Sequence, residues 1–159
     1  MIPPNINLVL LDLVYYNENE KSVVITTKGG RNMNDIANPL FRGVSDAEWK
    51  EMEEMNCLWE TEYRKNERVC QMGNVIHELG IVTKGRVHIE TVDPWGNKSI
   101  LSEVGEGEVF AETYAFCEEP MMVEVSAAED TNVLWLDVRW ILTDTGSGWQ
   151  EKIQKNMLQ

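Results

Sequence analysis

The chain lacks the surplus of basic residues that nucleic-acid-binding proteins carry. Its 159 residues include 14 lysines and arginines against 27 aspartates and glutamates, which gives a net charge of −13. Lysine and arginine occur singly or in pairs and never form a run. A protein binds the phosphate backbone of nucleic acids through a basic patch that displaces counterions. The excess of acidic residues therefore argues strongly against nucleic-acid binding by this chain alone.

Cysteine is scarce, and no apolar run is long enough to cross a membrane. Cys57, Cys70 and Cys117 are odd in number and far apart, so neither a disulfide framework nor a CxxC metal site is predicted. The apolar segment at residues 8–16 is interrupted by Asp12 and is too short to span a bilayer. It has no basic flank of the kind that precedes a signal sequence. We therefore expect a soluble, cytoplasmic protein with reduced thiols.

Apolar residues make up 43% of the chain, which is enough for one domain with a sizeable core. Near the N-terminus, residues 8–16 and 22–27 are rich in β-branched and aromatic residues and are separated by a polar stretch, which predicts a hairpin. A second methionine, Met33, follows. Residues 1–32 are therefore either an extension upstream of a natural start at Met33 or an ordinary N-terminal hairpin of unknown role.

Residues 45–58 are predicted to form a helix. Ser45 suits an N-cap, and Glu48, three residues later, suits its capping-box partner. Trp49, Met52 and Met55 recur on one face of this helix. Such a stripe of methionine and tryptophan indicates packing against a core rather than a cofactor site.

Short strands punctuated by glycine follow between residues 61 and 137. Gly73, Gly85, Gly96 and Gly107 are separated by 12, 11 and 11 residues, a spacing of turns typical of β-sandwiches and β-barrels. The turn Asp93-Pro94-Trp95-Gly96 predicts that the strands on either side of it pair as a hairpin. The strands are predicted at residues 79–84, 86–92, 98–104, 122–128 and 132–138, with one helical turn within 108–120.

The last segment, residues 138–159, is predicted to be helical in two pieces, interrupted by Gly146 and Gly148. Trp149, Ile153 and Met157 fall on one face of the second piece. A helix of about three turns is marginal in isolation. We therefore expect this apolar face to dock against something.

Short motifs run in a fixed order from residue 38 to the C-terminus. They are Asn38-Pro39-Leu40-Phe41, Val44-Ser45, Tyr63-Arg64-Lys65-Asn66-Glu67, Gly73, Ile81-Val82-Thr83-Lys84-Gly85-Arg86-Val87, Gly107-Glu108-Val109-Phe110-Ala111-Glu112, Asp130-Thr131-Asn132-Val133-Leu134 and residues 149–158. Their order and spacing resemble the effector domain of Crp/Fnr-type transcriptional regulators, which share the cyclic-nucleotide-binding domain fold. The resemblance covers about three quarters of the chain.

The resemblance implies a mainly β fold, an antiparallel jelly-roll β-barrel with flanking helices. Residues 33–145 would form the effector domain, and residues 146–159 would begin the helix through which these regulators dimerise, with Trp149, Ile153 and Met157 as candidate contacts in a homodimer. Family members usually carry a helix-turn-helix after this helix, whereas this chain ends first. DNA binding would therefore require a C-terminal module absent from this chain. The alternative is a stand-alone sensor or dimerisation partner that does not bind DNA.

The resemblance also identifies a candidate ligand pocket. Family members that bind cyclic nucleotides hold the ribose with a glutamate, which Glu112 matches, and the phosphate with an arginine soon after Pro120, where this chain has Met121 and Met122. A buried phosphate without a cationic partner is costly, so we expect no useful binding of cyclic AMP or cyclic GMP. The candidate pocket residues for an unknown small-molecule effector are Phe110, Ala111, Glu112, Thr113, Tyr114, Met121 and Met122.

Any single apolar residue of this pocket is more simply explained as filling the interior, as side chains do in small barrels, whereas the residues as a group are the default candidate for a pocket. Other kinds of sensor or enzyme carry less weight. An iron–sulfur or haem sensor would need ligands that the three scattered cysteines and residues 110–114 do not supply. A cupin-like enzyme would need a metal site, for which His77, His88 and Glu90 are the candidates. His88 and Glu90 are expected to face solvent, so we predict no enzyme activity, no metal and no cofactor.

Overall fold

The computed structural model describes residues 13–17, 22–26 and 38–159 of the chain. The strands are β1 Leu13–Asn17, β2 Ser22–Thr26, β3 Leu58–Tyr63, β4 Arg68–Cys70, β5 Glu78–Lys84, β6 Arg86–Val92, β7 Lys98–Gly105, β8 Val109–Phe110, β9 Glu124–Ala127 and β10 Thr131–Asp137. The helices are α1 Asp46–Glu54, α2 Glu112–Cys117, α3 Val138–Leu142 and α4 Gly148–Met157, with a 3-10 turn at Pro39–Phe41.

The described strands form two antiparallel sheets. The larger sheet has the order β1-β2-β3-β10-β5-β8, and the smaller has the order β4-β9-β6-β7. Neighbouring strands in these sheets are far apart in sequence in several cases, such as β3 with β10 and β4 with β9. The prediction of a mainly β, antiparallel jelly-roll fold with flanking helices is confirmed.

An interior cluster fills the space between the two sheets, because both sheets contribute apolar side chains to it. A helical-side cluster lies on the other face of the larger sheet, beneath the helices. The interior cluster consists of Val69, Cys70, Val82, Val87, Phe110, Ala111, Met121, Val125, Ala127, Val133 and Trp135. The helical-side cluster consists of Leu40, Phe41, Val44, Trp49, Met52, Cys57, Leu58, Leu79, Ile81, Ala115, Leu134, Leu136, Val138, Ile141, Trp149 and Ile153.

Strand β10 separates the two clusters. It lies between β3 and β5, and Val133 and Trp135 point into the interior cluster while Leu134 and Leu136 point into the helical-side cluster. A strand that is covered on both faces has a continuous run of apolar residues in its sequence. The consecutive apolar residues of β10 are explained by the two clusters that cover its two faces.

Helix α1 begins as predicted and ends earlier. Ser45 accepts a hydrogen bond from the Glu48 backbone N–H, and the Glu48 side chain accepts one from the Ser45 backbone N–H at 2.7 Å. The predicted helix end at residue 58 is wrong, because α1 ends at Glu54 and β3 begins at Leu58. Between them Asn56 adopts a positive φ of 56°, a conformation that terminates a helix.

Helix α4 packs against the 3-10 turn, α1 and α3 of its own chain. Trp149 and Ile153 are fully buried in the helical-side cluster. The prediction that Trp149, Ile153 and Met157 together face a second copy therefore needs correction. An isolated short helix is stabilised by docking its apolar face, and here that face docks within the chain, which leaves only Met157 exposed among the three.

Both predicted hairpins are present among the described residues. Strands β6 and β7 pair from Arg86 opposite Gly105 to Val92 opposite Lys98, and Asp93 closes the turn by accepting hydrogen bonds from the Trp95 and Asn97 backbone N–H groups. Strands β1 and β2 pair with each other, and β2 joins the larger sheet beside β3. Residues 8–12 of the first predicted strand, and Met33, lie outside the described residues.

Within the described part of the chain, no helix has the length and apolar character needed to cross a membrane.

Candidate ligand site

The segment from β8 to α2 carries the predicted pocket residues Phe110 to Tyr114 and connects the two clusters. Phe110 is buried in the interior cluster, and Tyr114 packs against the same cluster. Ala115, one residue further along α2, belongs to the helical-side cluster, and Phe116 packs against it. Helix α2 therefore contacts both parts of the core.

The Phe110 ring lies against β5. Gly80 is the residue opposite Phe110 in the pairing of β5 with β8, and a Cβ atom on Gly80 would overlap the Phe110 ring. The Phe110 ring also meets the Trp135 ring edge to face, with 5.5 Å between ring centroids. The sequence interpretation missed Gly80 and Trp135, although a lone glycine within an apolar strand is a known signal of close approach.

Ala111 and Asn66 both keep a left-handed backbone although neither is glycine. Ala111 lies between β8 and α2, in the segment of residues 107–113 that we call the cassette, and has a φ of 63°. Asn66 lies between β3 and β4 and has a φ of 70°. Asparagine tolerates this conformation, whereas alanine is strained in it by about 1–2 kcal/mol. At Ala111 the cassette therefore holds a conformation that glycine would adopt without this strain.

Met121 and Met122 occupy different environments. Met121 is 2% exposed and belongs to the interior cluster, whereas Met122 is 76% exposed. The Met121 backbone is fixed by two hydrogen bonds, one from its own N–H to the Asn74 carbonyl at 2.9 Å and one from the Gly73 N–H to its carbonyl at 2.7 Å. Of the two methionines at the expected arginine position, Met121 is the one that faces the interior.

The remaining predicted pocket residues lie further out. Glu112 and Thr113 are exposed in the first turn of α2, and Tyr114 is half-buried. The structure therefore brings Phe110, Ala111, Tyr114 and Met121 together and leaves Glu112, Thr113 and Met122 on the surface.

Cations close to α2 are bound to carboxylates. The Arg139 guanidinium binds Asp137 through two nitrogens, at 2.7 Å for Nη2 to Oδ2 and 2.9 Å for Nε to Oδ1. The hydrogen bonds to Asp137 raise the pKa of Arg139 further above its usual value. The positive charge of Arg139 is therefore already paired with a carboxylate of its own chain.

A second group of charges lies on the outer face of the smaller sheet. Lys98 Nζ contacts Glu124 at 2.6 Å and Glu90 at 3.6 Å, and Arg68 Nε lies 3.3 Å from Glu124. Burial favours the neutral form of Glu124, but the hydrogen bond from Lys98 and the charge of Arg68 outweigh it and lower the pKa of that carboxyl.

The histidines do not assemble into a metal site. His88 Nε2 lies 3.0 Å from the Glu103 carboxylate on the outer face of the smaller sheet. The prediction that Glu90 faces solvent is wrong, because Glu90 is buried on that face, where it accepts a hydrogen bond from Ser126 at 2.9 Å. Among the residues that the structure describes, no three histidine, cysteine or acidic side chains are placed to hold a metal ion together.

The three cysteines are free thiols in two environments. Cys57 and Cys70 are buried, and burial raises the pKa of Cys57 to about 12, so this thiol is protonated and unreactive at neutral pH. Cys117 is exposed at the end of α2.

Residues 60–139 match the family described as "Cyclic nucleotide-binding domain". The chain belongs to this family. No curated protein matches the chain significantly.

Solved structures of other proteins have the same fold. The N-terminal domain of a transcriptional regulator from Streptomyces coelicolor A3(2) superposes with a TM-score of 0.59 at 20% identity, covering 80% of this chain and 91% of that one. The sensor domain of the transcriptional regulator DNR from Pseudomonas aeruginosa gives 0.58 at 20% identity, covering 77% and 75%. The resemblance to regulator sensor domains is thereby confirmed at the level of the fold.

The Thermus thermophilus catabolite activator protein superposes with a TM-score of 0.56 at 21% identity, covering 76% of this chain. This chain spans only 55% of that protein's length. Activities of the whole Thermus protein therefore do not transfer to this chain by similarity.

Proposed function

We propose that this chain is the ligand-sensing and dimerising domain of a transcriptional regulator and that its effector is a small molecule other than cyclic AMP or cyclic GMP. Membership of the cyclic nucleotide-binding domain family supports a sensing role. Two of its structural neighbours are domains of transcriptional regulators. The proposed effector domain spans residues 33–145. The role is regulatory rather than catalytic.

The observation that carries the proposal is the environment of Met121. This side chain lies in the interior cluster beside the cassette, where the family's arginine would meet a phosphate. A thioether cannot neutralise a phosphate, and desolvating an unpaired charge costs several kcal/mol. Glu112, Glu118 and Glu119, which are close to Met121 in sequence and exposed, add negative charge to the surface around this segment.

The aromatic and thioether side chains at this position favour an apolar or aromatic effector. Phe110, Tyr114 and Met121 pack in or against the interior cluster, and pockets for small ligands are lined mainly by such residues. An effector that displaced them would act directly on α2. Because α2 also contacts the helical-side cluster through Ala115 and Phe116, differential binding would shift the packing beneath α4.

Isothermal titration calorimetry with cyclic AMP and cyclic GMP tests the first part of the proposal. We expect no saturable heat up to about 1 mM nucleotide. A dissociation constant of about 1 mM corresponds to a binding free energy of only about −4 kcal/mol. Micromolar binding of either nucleotide would overturn the proposal.

A pair of arginine variants makes the test specific for Met121. Met121→Arg places a cation in the interior, so cyclic AMP should raise the melting temperature of this variant and leave the wild type unchanged. Met122→Arg is the matched control, because its side chain is exposed, and it should show no response. A response of Met122→Arg without one of Met121→Arg would place the phosphate position elsewhere and contradict the argument.

A further inference from the structure

The outer edge of the smaller sheet is a long, exposed strand. β7 is the last strand in the order β4-β9-β6-β7, and residues 98–103 are all exposed. Two large apolar side chains, Ile100 and Leu101, stand adjacent at its centre, 60% and 59% exposed. An edge strand presents unpaired backbone N–H and C=O groups that can pair with another strand.

The centre of β7 carries a bulge. Glu90 of β6 pairs with Ile100 while Ile89 pairs with Ser102, so Leu101 is an extra residue in β7. Side chains of a strand alternate between its two faces, and one inserted residue reverses that alternation.

The pairing with β6 assigns the face of each β7 residue outside the bulge. Ser99 and Ser102 share the inner face with their partners Thr91 and Ile89. Lys98, Ile100 and Glu103 lie on the outer face, where Lys98 contacts Glu124 and Glu103 contacts His88. On either side of the bulge, the next residue outwards lies on the inner face (Ser99 or Ser102) and the one after it lies on the outer face (Lys98 or Glu103). The order of faces is therefore the same in both directions from the bulge.

We propose that β7 pairs antiparallel with β7 of a second copy of this chain, with the two-fold axis between Ile100 and Leu101. In this register Ile100 lies opposite the partner's Leu101. Ser99 lies opposite the partner's Ser102, and Lys98 lies opposite the partner's Glu103. The two four-stranded sheets would join into one continuous sheet across the dimer.

Of this register and the registers close to it, only this one makes the strand segment complementary to itself. The segment is Lys98-Ser99-Ile100-Leu101-Ser102-Glu103. A two-fold axis perpendicular to the sheet requires opposing residues to lie on the same face, and the bulge satisfies this for Lys98 with Glu103 and for Ser99 with Ser102. Shifting the register by two residues would place Ile100 opposite the partner's Glu103 and lose both matches. Opposite charges and apolar pairs facing each other stabilise a strand pairing.

The charges needed for the pairing are accessible. The side chains of Lys98 and Glu103 are 48% and 46% exposed although each already contacts charged neighbours in its own chain. The net charge of −13 makes two copies repel each other over most of their surface. Self-association therefore depends on a complementary strip, and β7 supplies one.

Analytical ultracentrifugation of the full chain tests the interface. We expect a wild-type dimer and a monomeric Leu101→Lys variant, with unchanged far-UV circular dichroism because Leu101 is exposed. Met122→Lys and Leu158→Lys are matched controls that alter other exposed apolar residues, and both should remain dimeric. A monomeric wild type, or a dimer lost in Leu158→Lys and kept in Leu101→Lys, would overturn the proposal.

A cysteine pair tests the register itself. In a Cys117→Ser background, Ser99→Cys with Ser102→Cys should give an intermolecular disulfide with oxidised glutathione, because directly opposed Cα atoms in antiparallel strands lie about 4.5–5.5 Å apart, within disulfide range. Ser99→Cys alone should not cross-link, since the two copies of residue 99 would be about 10 Å apart along the strand. Cross-linking by the single variant at the same rate would contradict this register. Neither experiment depends on the effector, so their outcome is independent of the proposed sensing role.

Discussion

The ring of Phe110 packs across the backbone of Gly80, at the position where β8 pairs with β5. Trp135, from strand β10 on the other side of β5, contacts the same ring edge to face. These three residues form one wall of the interior cluster next to the cassette. Any change at Gly80 therefore acts on the conformation of the segment proposed to meet the effector.

Gly80→Ala should destabilise the protein. The new methyl group would meet the Phe110 ring, and overpacking a tight core costs about 1–3 kcal/mol. Urea unfolding followed by circular dichroism measures the loss. Gly105→Ala is the control, because a Cβ there would meet only the Glu108 carboxylate at 3.6 Å. Equal effects of the two substitutions would contradict the contact between Phe110 and Gly80.

Ala111→Gly should stabilise the protein. Ala111 has a φ of 63°, and glycine would remove a strain of about 1 kcal/mol at that position. Thermal unfolding should show a higher melting temperature. Ala115→Gly, four residues along in α2, should show the opposite sign because glycine weakens a helix interior by about 1 kcal/mol relative to alanine. A loss of stability in Ala111→Gly would mean that the methyl group contributes more through packing than it costs in strain.

Trp149→Ala should lower the free energy of unfolding of the single chain, whatever its effect on dimerisation. Trp149 is fully buried in the helical-side cluster, and truncating a buried tryptophan costs about 3–5 kcal/mol. Leu158→Ala is a control at the end of the same helix, 90% exposed, and should change stability by less than about 0.5 kcal/mol. The free energy of unfolding from urea titrations distinguishes the two. A Trp149→Ala protein of wild-type stability would show that α4 does not dock as described.

Local features of the fold could be predicted from the sequence, whereas contacts between distant segments could not. The capping box of Ser45 and Glu48 and the turn at Asp93 depend on residues a few positions apart, so their residue types are sufficient evidence. The stripe containing Trp149 and Ile153 shows correctly that one face of α4 must dock. Periodicity carries no information about what covers that face. The sequence analysis assigned it to a second copy, whereas Trp149 and Ile153 pack in the core of their own chain.

The candidate site also has local features that the sequence predicts and tertiary contacts that it does not. The motif around Phe110 and Ala111 locates the cassette, and the missing arginine is visible in the sequence at Met121 and Met122. Which methionine faces the interior depends on how the loop hydrogen-bonds to Gly73, and this follows only from the tertiary structure. The burial of Glu90 likewise depends on residues from neighbouring strands.

Stability should fall at low pH in part because of Glu48. Its hydrogen bonds from Lys152, at 2.7 and 2.8 Å, and from the Ser45 backbone lower its pKa in the folded protein. A lowered folded-state pKa stabilises the fold above the unfolded value of about 4.3. This stabilisation is lost as the pH falls through the folded-state pKa, because protonation then removes the carboxylate that Lys152 and Ser45 bind.

Glu48→Gln should therefore reduce stability by about 0.5–1 kcal/mol at neutral pH. The deficit should shrink as both proteins are taken to about pH 3, below the usual glutamate pKa. Urea midpoints across this range measure the difference. Glu54→Gln, which removes an exposed helix-surface pair with Lys50 at 3.9 Å, is the control and should change little at either pH. If the Glu48→Gln deficit were the same at both ends, its cause would be lost packing rather than the charge that links α1 to α4.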